Sequence, residues 1–175
     1  MNYATIKPVD IANGPGVRVS LFVSGCTHHC KDCFNEEAWD FQYGAPFTEE
    51  IENQILGYMD HDYIVGLTLL GGEPMEPQNQ AALLPFVRRV RERFPEKTIW
   101  CYSGYDFEKD ILGRMFGENP VTESLVELFD VMVDGKFVAE LRNLSLKFRG
   151  SENQRILDVK RSLEAGKAVW MEEYR

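Results

Sequence analysis

Four short apolar runs, separated by amphipathic stretches, constrain this chain most. They are VRVSLFVSG (17–25), YIVGLTLL (63–70), KTIWCYSG (97–104) and DVMVDG (130–135). Runs of this length, rich in β-branched and aromatic residues, read as strands. YIVGLTLL and DVMVDG are near-continuously apolar, which marks strands buried on both faces of a sheet. Between the runs lie helical patterns. PFTEEIENQILGYMD (46–60) places Ile51, Ile55 and Met59 on one face behind a Thr48 N-cap, with acids in the first turn. Residues 79–94 align Leu83, Val87, Val90 and Phe94, and Pro85 must either kink this helix or lie in its first turn. Helices are also expected over 106–116, 121–129 and 155–166, the last ending at Gly166. Residues 137–154 read as mostly irregular.

The order β-loop-α-β-α-β-α-β predicts an α/β fold. The sheet is expected to be open and mostly parallel, resembling a partial (β/α) barrel. A closed eightfold barrel typically needs about 200–250 residues, and this chain has 175. In such sheets ligands collect beyond the C-terminal ends of the strands. Two loops leave such ends here: the cysteine-bearing GCTHHCKDCFN (25–35) and GGEP (71–74). They are expected to share one site.

The first loop holds Cys26, Cys30 and Cys33, and the only other cysteine is Cys101. Three clustered thiols brace no fold, and metal binding or catalysis is the better reading. Structural zinc wants four closed ligands. His28 and His29 lie too near their neighbours to complete a tetrahedron without strain, and they are expected to be solvated or to support the loop. Cys101, inside an apolar strand, is expected to be a small buried hydrophobe. A four-iron cubane normally takes four thiolates. Three thiolates would leave one iron open, as a catalytic centre requires. The spacing therefore favours an open iron–sulfur site, and a zinc-binding interaction module is the alternative.

Charge and composition exclude other classes. The chain carries 28 acidic and 19 basic residues, a net charge of −9, which disfavours general nucleic-acid binding. No apolar run approaches the roughly 18 residues of a membrane span. The N-terminal MNYATIKPVDIANGPG lacks a secretory h-region, so the cytoplasm is the expected compartment. Asp32 to Val87 contains eleven acids and no Lys or Arg, and RRVRER (88–93) follows with four arginines. Both runs fit solvated faces, but Arg88, Arg89, Arg91 and Arg93 are also candidates for docking an acidic partner. Arg18 is either a site residue or an edge charge. Ser103 and Gly104 either line the site or form a plain turn.

The motifs together resemble a known family. CX3CX2C after the first strand is similar to the radical S-adenosylmethionine superfamily. NGPGVR (13–18), FN (34–35), GGEP, VDGKF (133–137) and FRGSENQ (148–154) resemble its glycyl-radical-activating branch, and within it the activators of anaerobic ribonucleotide reductases. The resemblance covers residues 1–155, as one domain, with 156–175 as a C-terminal extension of unassigned role. It implies one 4Fe–4S cluster on Cys26, Cys30 and Cys33, with S-adenosylmethionine chelating the fourth iron. Cofactor contacts would come from Asp32, Cys33, Phe34, Gly71, Gly72 and Glu73. Glu73 would accept from the ligand's ammonium, and Phe34 would meet adenine. No side chain is assigned a further catalytic role. The reaction implied is reductive cleavage of S-adenosylmethionine and hydrogen removal from a glycine of a partner, the reductase catalytic subunit. A flavodoxin-like or other one-electron donor is implied as well. A homodimer, or a heterotetramer with the reductase, is compatible with this. The alternative within the branch is an activating enzyme of pyruvate formate-lyase or another glycyl radical enzyme, which is usually longer.

Overall fold

The computed structural model describes residues 1–175. Its strands are β1 (Asn2–Asp10), β2 (Val17–Val23), β3 (Ala45–Pro46), β4 (Ile64–Gly71), β5 (Thr98–Tyr102), β6 (Val131–Asp134) and β7 (Arg155–Asp158). They form one open sheet in the order β3-β1-β2-β4-β5-β6-β7. The four apolar runs are its centre, and β2, β4, β5 and β6 pair in parallel. The edges depart from the expected alternation. On one side β1 pairs antiparallel with β2 and with β3, and on the other β7 pairs antiparallel with β6. The mostly parallel open sheet is thus present, closed off at both sides by antiparallel strands.

The helices cover mainly one face. Helix α1 (Glu49–Met59) starts where Thr48 accepts from Ile51 N–H. Helix α2 (Pro77–Arg93) carries Pro77 in its first turn, and Pro85 lies in its interior rather than its first turn. Phe107–Met115 is wound as a π-helix and runs into α3 (Phe116–Glu118), followed by α4 (Pro120–Val126). Residues 155–166 are not one helix. Arg155–Asp158 is the edge strand, and α5 (Val159–Ala165) begins only where Asp158 caps Arg161 N–H, ending at a left-handed Gly166. The core between helices and sheet includes Leu67, Leu69, Leu83, Phe86, Val87, Phe107 and Ile111, all fully buried. On the opposite face no α-helix covers Trp100, Val133 and Ile156. Phe148, Met171 and Tyr174 pack over them.

Arg18 is neither a site residue nor an edge charge. It is fully buried. Its Nε donates to Thr68 Oγ1 at 2.8 Å, and Nη1 to Thr98 Oγ1 at 2.9 Å. Nη2 reaches the carbonyls of Leu67 (3.0 Å) and Thr98 (2.9 Å), and the guanidinium lies 5.6 Å from the Trp100 ring. One side chain on β2 therefore ties β4 and β5 to it. Burial lowers its pKa to about 10, so it stays charged at neutral pH. The arginine run of α2 is also used internally. Arg89 pairs with Glu52 (2.6 Å), Arg91 with Asp130 (2.7 Å) and Arg93 with Asp60 (3.0 Å). Arg88 stays exposed.

Two outcomes follow. Arg18→Met strands several buried acceptors and should destabilise by about 3 kcal/mol in urea unfolding. A change under about 0.5 kcal/mol, the range of a neutral surface site, would contradict the stapling role. Asp10 accepts from Ala12 N–H, Asn13 Nδ2 and Ser20 Oγ. Burial pushes its pKa up, but these donors outweigh burial and hold it below the usual value. Its contribution is therefore complete above the unfolded pKa, about 4, and is lost as pH falls through the folded one. Asp10→Asn should flatten that acid limb of the stability curve, and an unchanged limb would refute the assignment.

Candidate functional site

The two loops meet because β2 and β4 run in register to their ends. Val23 pairs with Gly71 in parallel, and the contact continues past the strands. Gly72 N–H donates to Val23 O at 2.7 Å, and Glu73 N–H to Gly25 O at 2.8 Å. A Cβ on Gly71 would lie 2.7 Å from Val23 N and O, and one on Gly72 would lie 2.7 Å from Gly25 O. Gly71 also has φ 105°, which disfavours any other residue. The glycine pair thus brings the GGEP loop against the backbone that leads into the cysteines.

The cysteine loop is folded tightly. Gly25 N–H donates to Ala38 O and Cys26 N–H to Trp39 O, so both ends of the loop are tied together. Inside it, His29 (φ 50°) and Asp32 (φ 58°) take left-handed conformations, and Cys33 N–H closes a turn on Cys30 O. Cys26 is buried, Cys30 and Cys33 are half-buried, and all three are free thiols. They line a cavity of about 590 Å³ together with Phe34, Gly71, Gly72 and Glu73. Burial pushes the Cys26 thiol up to about 11, against the pull of the backbone amides of His28 and His29, and raises Cys30 as well. Both are therefore protonated at neutral pH, and metal binding must release protons.

The donor set fits a cluster better than one ion. Tetrahedral zinc–thiolate bonds of about 2.3 Å hold sulfurs under about 4 Å apart. The three sulfurs are not gathered that closely. The only three ligand atoms of His, Cys, Asp or Glu within 4.8 Å of one another belong to Asp106, Glu108 and Asp134. Arg155 fills that acidic group, 2.5 Å from Asp134 and 2.7 Å from Glu108. The cavity wall also keeps donors for a ligand. Trp39 Nε1 and Arg149 Nε are buried without a protein partner, and both residues line the cavity.

The other expected residues are placed unevenly. Glu73 is 1% exposed and accepts from Met75 N–H, Gly104 N–H and His28 Nε2. Phe34 is 66% exposed, at the cavity rim. There it packs against Phe137 (5.3 Å) and under the Arg142 guanidinium (5.2 Å). Asp32 is exposed and lies outside the cavity lining. Ser103 and Gly104 do line the cavity. Cys101 is fully buried, as an apolar-strand cysteine should be. Sequence reasoning missed the depth to which the histidines are used. His28 binds Glu73, and His29 stacks on Trp39 at 4.3 Å. It also missed Arg142, Asn143, Leu144, Leu146, Phe148 and Arg149, which line the cavity together with Tyr102 and Gln154. FRGSENQ was a signal for part of this lining.

Close packing here is testable. A Cβ on Gly104 would lie 2.6 Å from His28 Cδ2, whereas one on Gly117 meets nothing within 4 Å. Gly104→Ala should displace the His28 ring, shift its NMR signals and destabilise by about 1–3 kcal/mol. Gly117→Ala should leave those signals in place. Equal responses would contradict the His28 placement.

Comparison with known proteins agrees with this geometry. The family described as a 4Fe–4S single cluster domain matches residues 12–157. The anaerobic ribonucleoside-triphosphate reductase-activating protein of Pasteurella multocida (strain Pm70) is 44% identical over 159 residues, covering 88% of this chain and 95% of that protein. Its namesake in Escherichia coli (strain K12) is 43% identical over 156 residues, 88% of this chain and 96% of that one. Enterobacteria phage T4 has another, 42% identical over 156 residues, 89% of this chain and 93% of that one. On these matches the chain belongs to the 4Fe–4S single cluster domain family and, within it, to the family of anaerobic ribonucleoside-triphosphate reductase-activating proteins.

Proposed function

We propose that this protein activates an anaerobic ribonucleoside-triphosphate reductase as a radical S-adenosylmethionine oxidoreductase, generating a glycyl radical on the catalytic subunit. One observation carries the reading. Three free thiols and the Gly71-Gly72-Glu73 loop face one cavity. Cys26, Cys30 and Cys33 would hold three irons of a 4Fe–4S cluster and leave the fourth for the ligand. When bound, the cluster supplies the electron for reductive cleavage of S-adenosylmethionine.

The chain's own residues bind, orient and exclude water. Glu73 has a buried carboxylate and would accept a charge-assisted hydrogen bond from the ligand's ammonium. Backbone around Gly71, Gly72 and Asp32–Phe34 would bound the ligand. The Phe34 side chain, turned to Phe137 and Arg142, would roof the entrance rather than stack on adenine. The glycine of the partner must reach this cavity, so its mouth would be the docking face. Phe34 and Leu144 are 66% and 84% exposed there, beside Lys7 and Arg142. These cations stand out on a chain of net charge −9, and they suit an acidic partner better than the internally paired arginines of α2 do. A flavodoxin-like or other one-electron donor would reduce the cluster, and the cytoplasm is the compartment in which such thiols stay reduced.

Anaerobic reconstitution with iron and sulfide tests the cluster. The expected product is a brown protein with about four irons per chain, whose reduced EPR signal changes with S-adenosylmethionine. Cys26→Ala, Cys30→Ala and Cys33→Ala should each lose the intact cluster, and Cys101→Ala should keep it. A colourless protein with one metal ion, or a cluster blind to the ligand, would overturn the reading. Leu144→Glu, with cluster content retained, should weaken reductase binding about tenfold. Unchanged binding would move the docking face elsewhere.

A further inference from the structure

His28 and Glu73 form a buried pair at the cavity wall, their side chains 6% and 1% exposed, joined at 2.9 Å. A carboxylate only accepts, so His28 Nε2 is the donor. Gly104 N–H shares the same oxygen at 2.7 Å, and Met75 N–H holds the other at 2.9 Å. Of the roughly four acceptor positions of a carboxylate, three are therefore used. His28 is itself held in place. Its ring meets Tyr105 edge-on at 4.4 Å and lies against Gly104, where no Cβ would fit. The neighbouring Thr27 makes the parallel contact. Its N–H and Oγ1 both donate to Glu76 Oε1, at 2.8 and 2.7 Å. Two consecutive residues between Cys26 and Cys30 thus each bind one of the two acids in GGEPME (71–76).

We propose that His28 is a positioning residue that couples the cysteine loop to Glu73. Its backbone sits between two cluster-binding cysteines, so filling the loop fixes its place. Its ring then fixes the carboxylate, leaving one acceptor position for the ligand's ammonium. The inference rests on the reading of Glu73 as the amine acceptor. It adds a second link between cluster and ligand affinities, beside direct chelation of the open iron, and such linkage is reciprocal. Bound S-adenosylmethionine therefore raises the affinity of the loop for the cluster in part by way of His28.

The test compares S-adenosylmethionine with an analogue lacking its α-amino group, by calorimetry on cluster-loaded protein, with iron content measured for each variant. His28→Ala should weaken S-adenosylmethionine binding about tenfold and leave the analogue unaffected. His28→Gln, which keeps a donor, should recover most of the loss. In a Glu73→Gln background, His28→Ala should have little further effect. Should His28→Ala fail to fold, His28→Leu against His28→Gln carries the same contrast. Equal weakening of both ligands, or full additivity with Glu73→Gln, would make His28 merely structural and overturn the proposal. Wild-type protein that does not distinguish the two ligands would instead refute the Glu73 reading, and the proposal with it.

Discussion

The site depends on one backbone contact. β2 and β4 pair in parallel up to Val23 and Gly71, and the ladder then continues through Gly72 and Glu73 onto Val23 and Gly25. The approach is too close for a side chain on either glycine. Everything chemical hangs from it. Three cysteines follow one strand, a buried acid follows the other, and both loops start from strand ends hydrogen-bonded to each other. GGEP therefore needs its glycines for the chain itself, before any ligand is considered.

Charged groups are buried around this contact, and Glu73, Glu76 and Arg18 are each held by more than one hydrogen bond. Glu73 has three donors, and Glu76 takes two from Thr27. Arg18 distributes its charge over threonine oxygens and carbonyls and has no carboxylate partner. A buried charge left unpaired is costly, so these networks specify one arrangement of strands and loops. They also resist independent movement of the cysteine loop. Thr27 and His28 tie it to the GGEP loop through Glu76 and Glu73. The far side is built differently. Tyr174 packs on Phe148, whose carbonyl accepts from the Tyr102 hydroxyl, so the last residues brace the cavity wall at Phe148.

Much of this was legible from residue order. The four central strands announced themselves by near-continuous apolarity, and the Thr48 and Gly166 caps by local chemistry. The edges were not. β1 is mostly half-exposed or exposed and contains Pro8, so it shows no clean alternation. Arg155–Asp158 was hidden because Ile156, Val159 and Leu163 keep helical spacing across a strand-to-helix junction. The cysteines and GGEP were legible as a shared site because both leave strand ends. The His28–Glu73 pair was not, since 45 residues separate the partners and only the β2–β4 register joins them. Asp32 illustrates the opposite case. The resemblance implied a contact at this position, and a left-handed turn leaves the residue exposed and outside the cavity lining.

The central claim is that three cysteines hold a four-iron cluster whose remaining iron belongs to the ligand. Mössbauer spectroscopy of the 57Fe-reconstituted protein tests it most directly, with and without S-adenosylmethionine. The account predicts that about one iron in four changes its spectrum on adding the ligand, while the three held by Cys26, Cys30 and Cys33 stay as they were. Four irons that all ignore the ligand, or all respond alike, would contradict it.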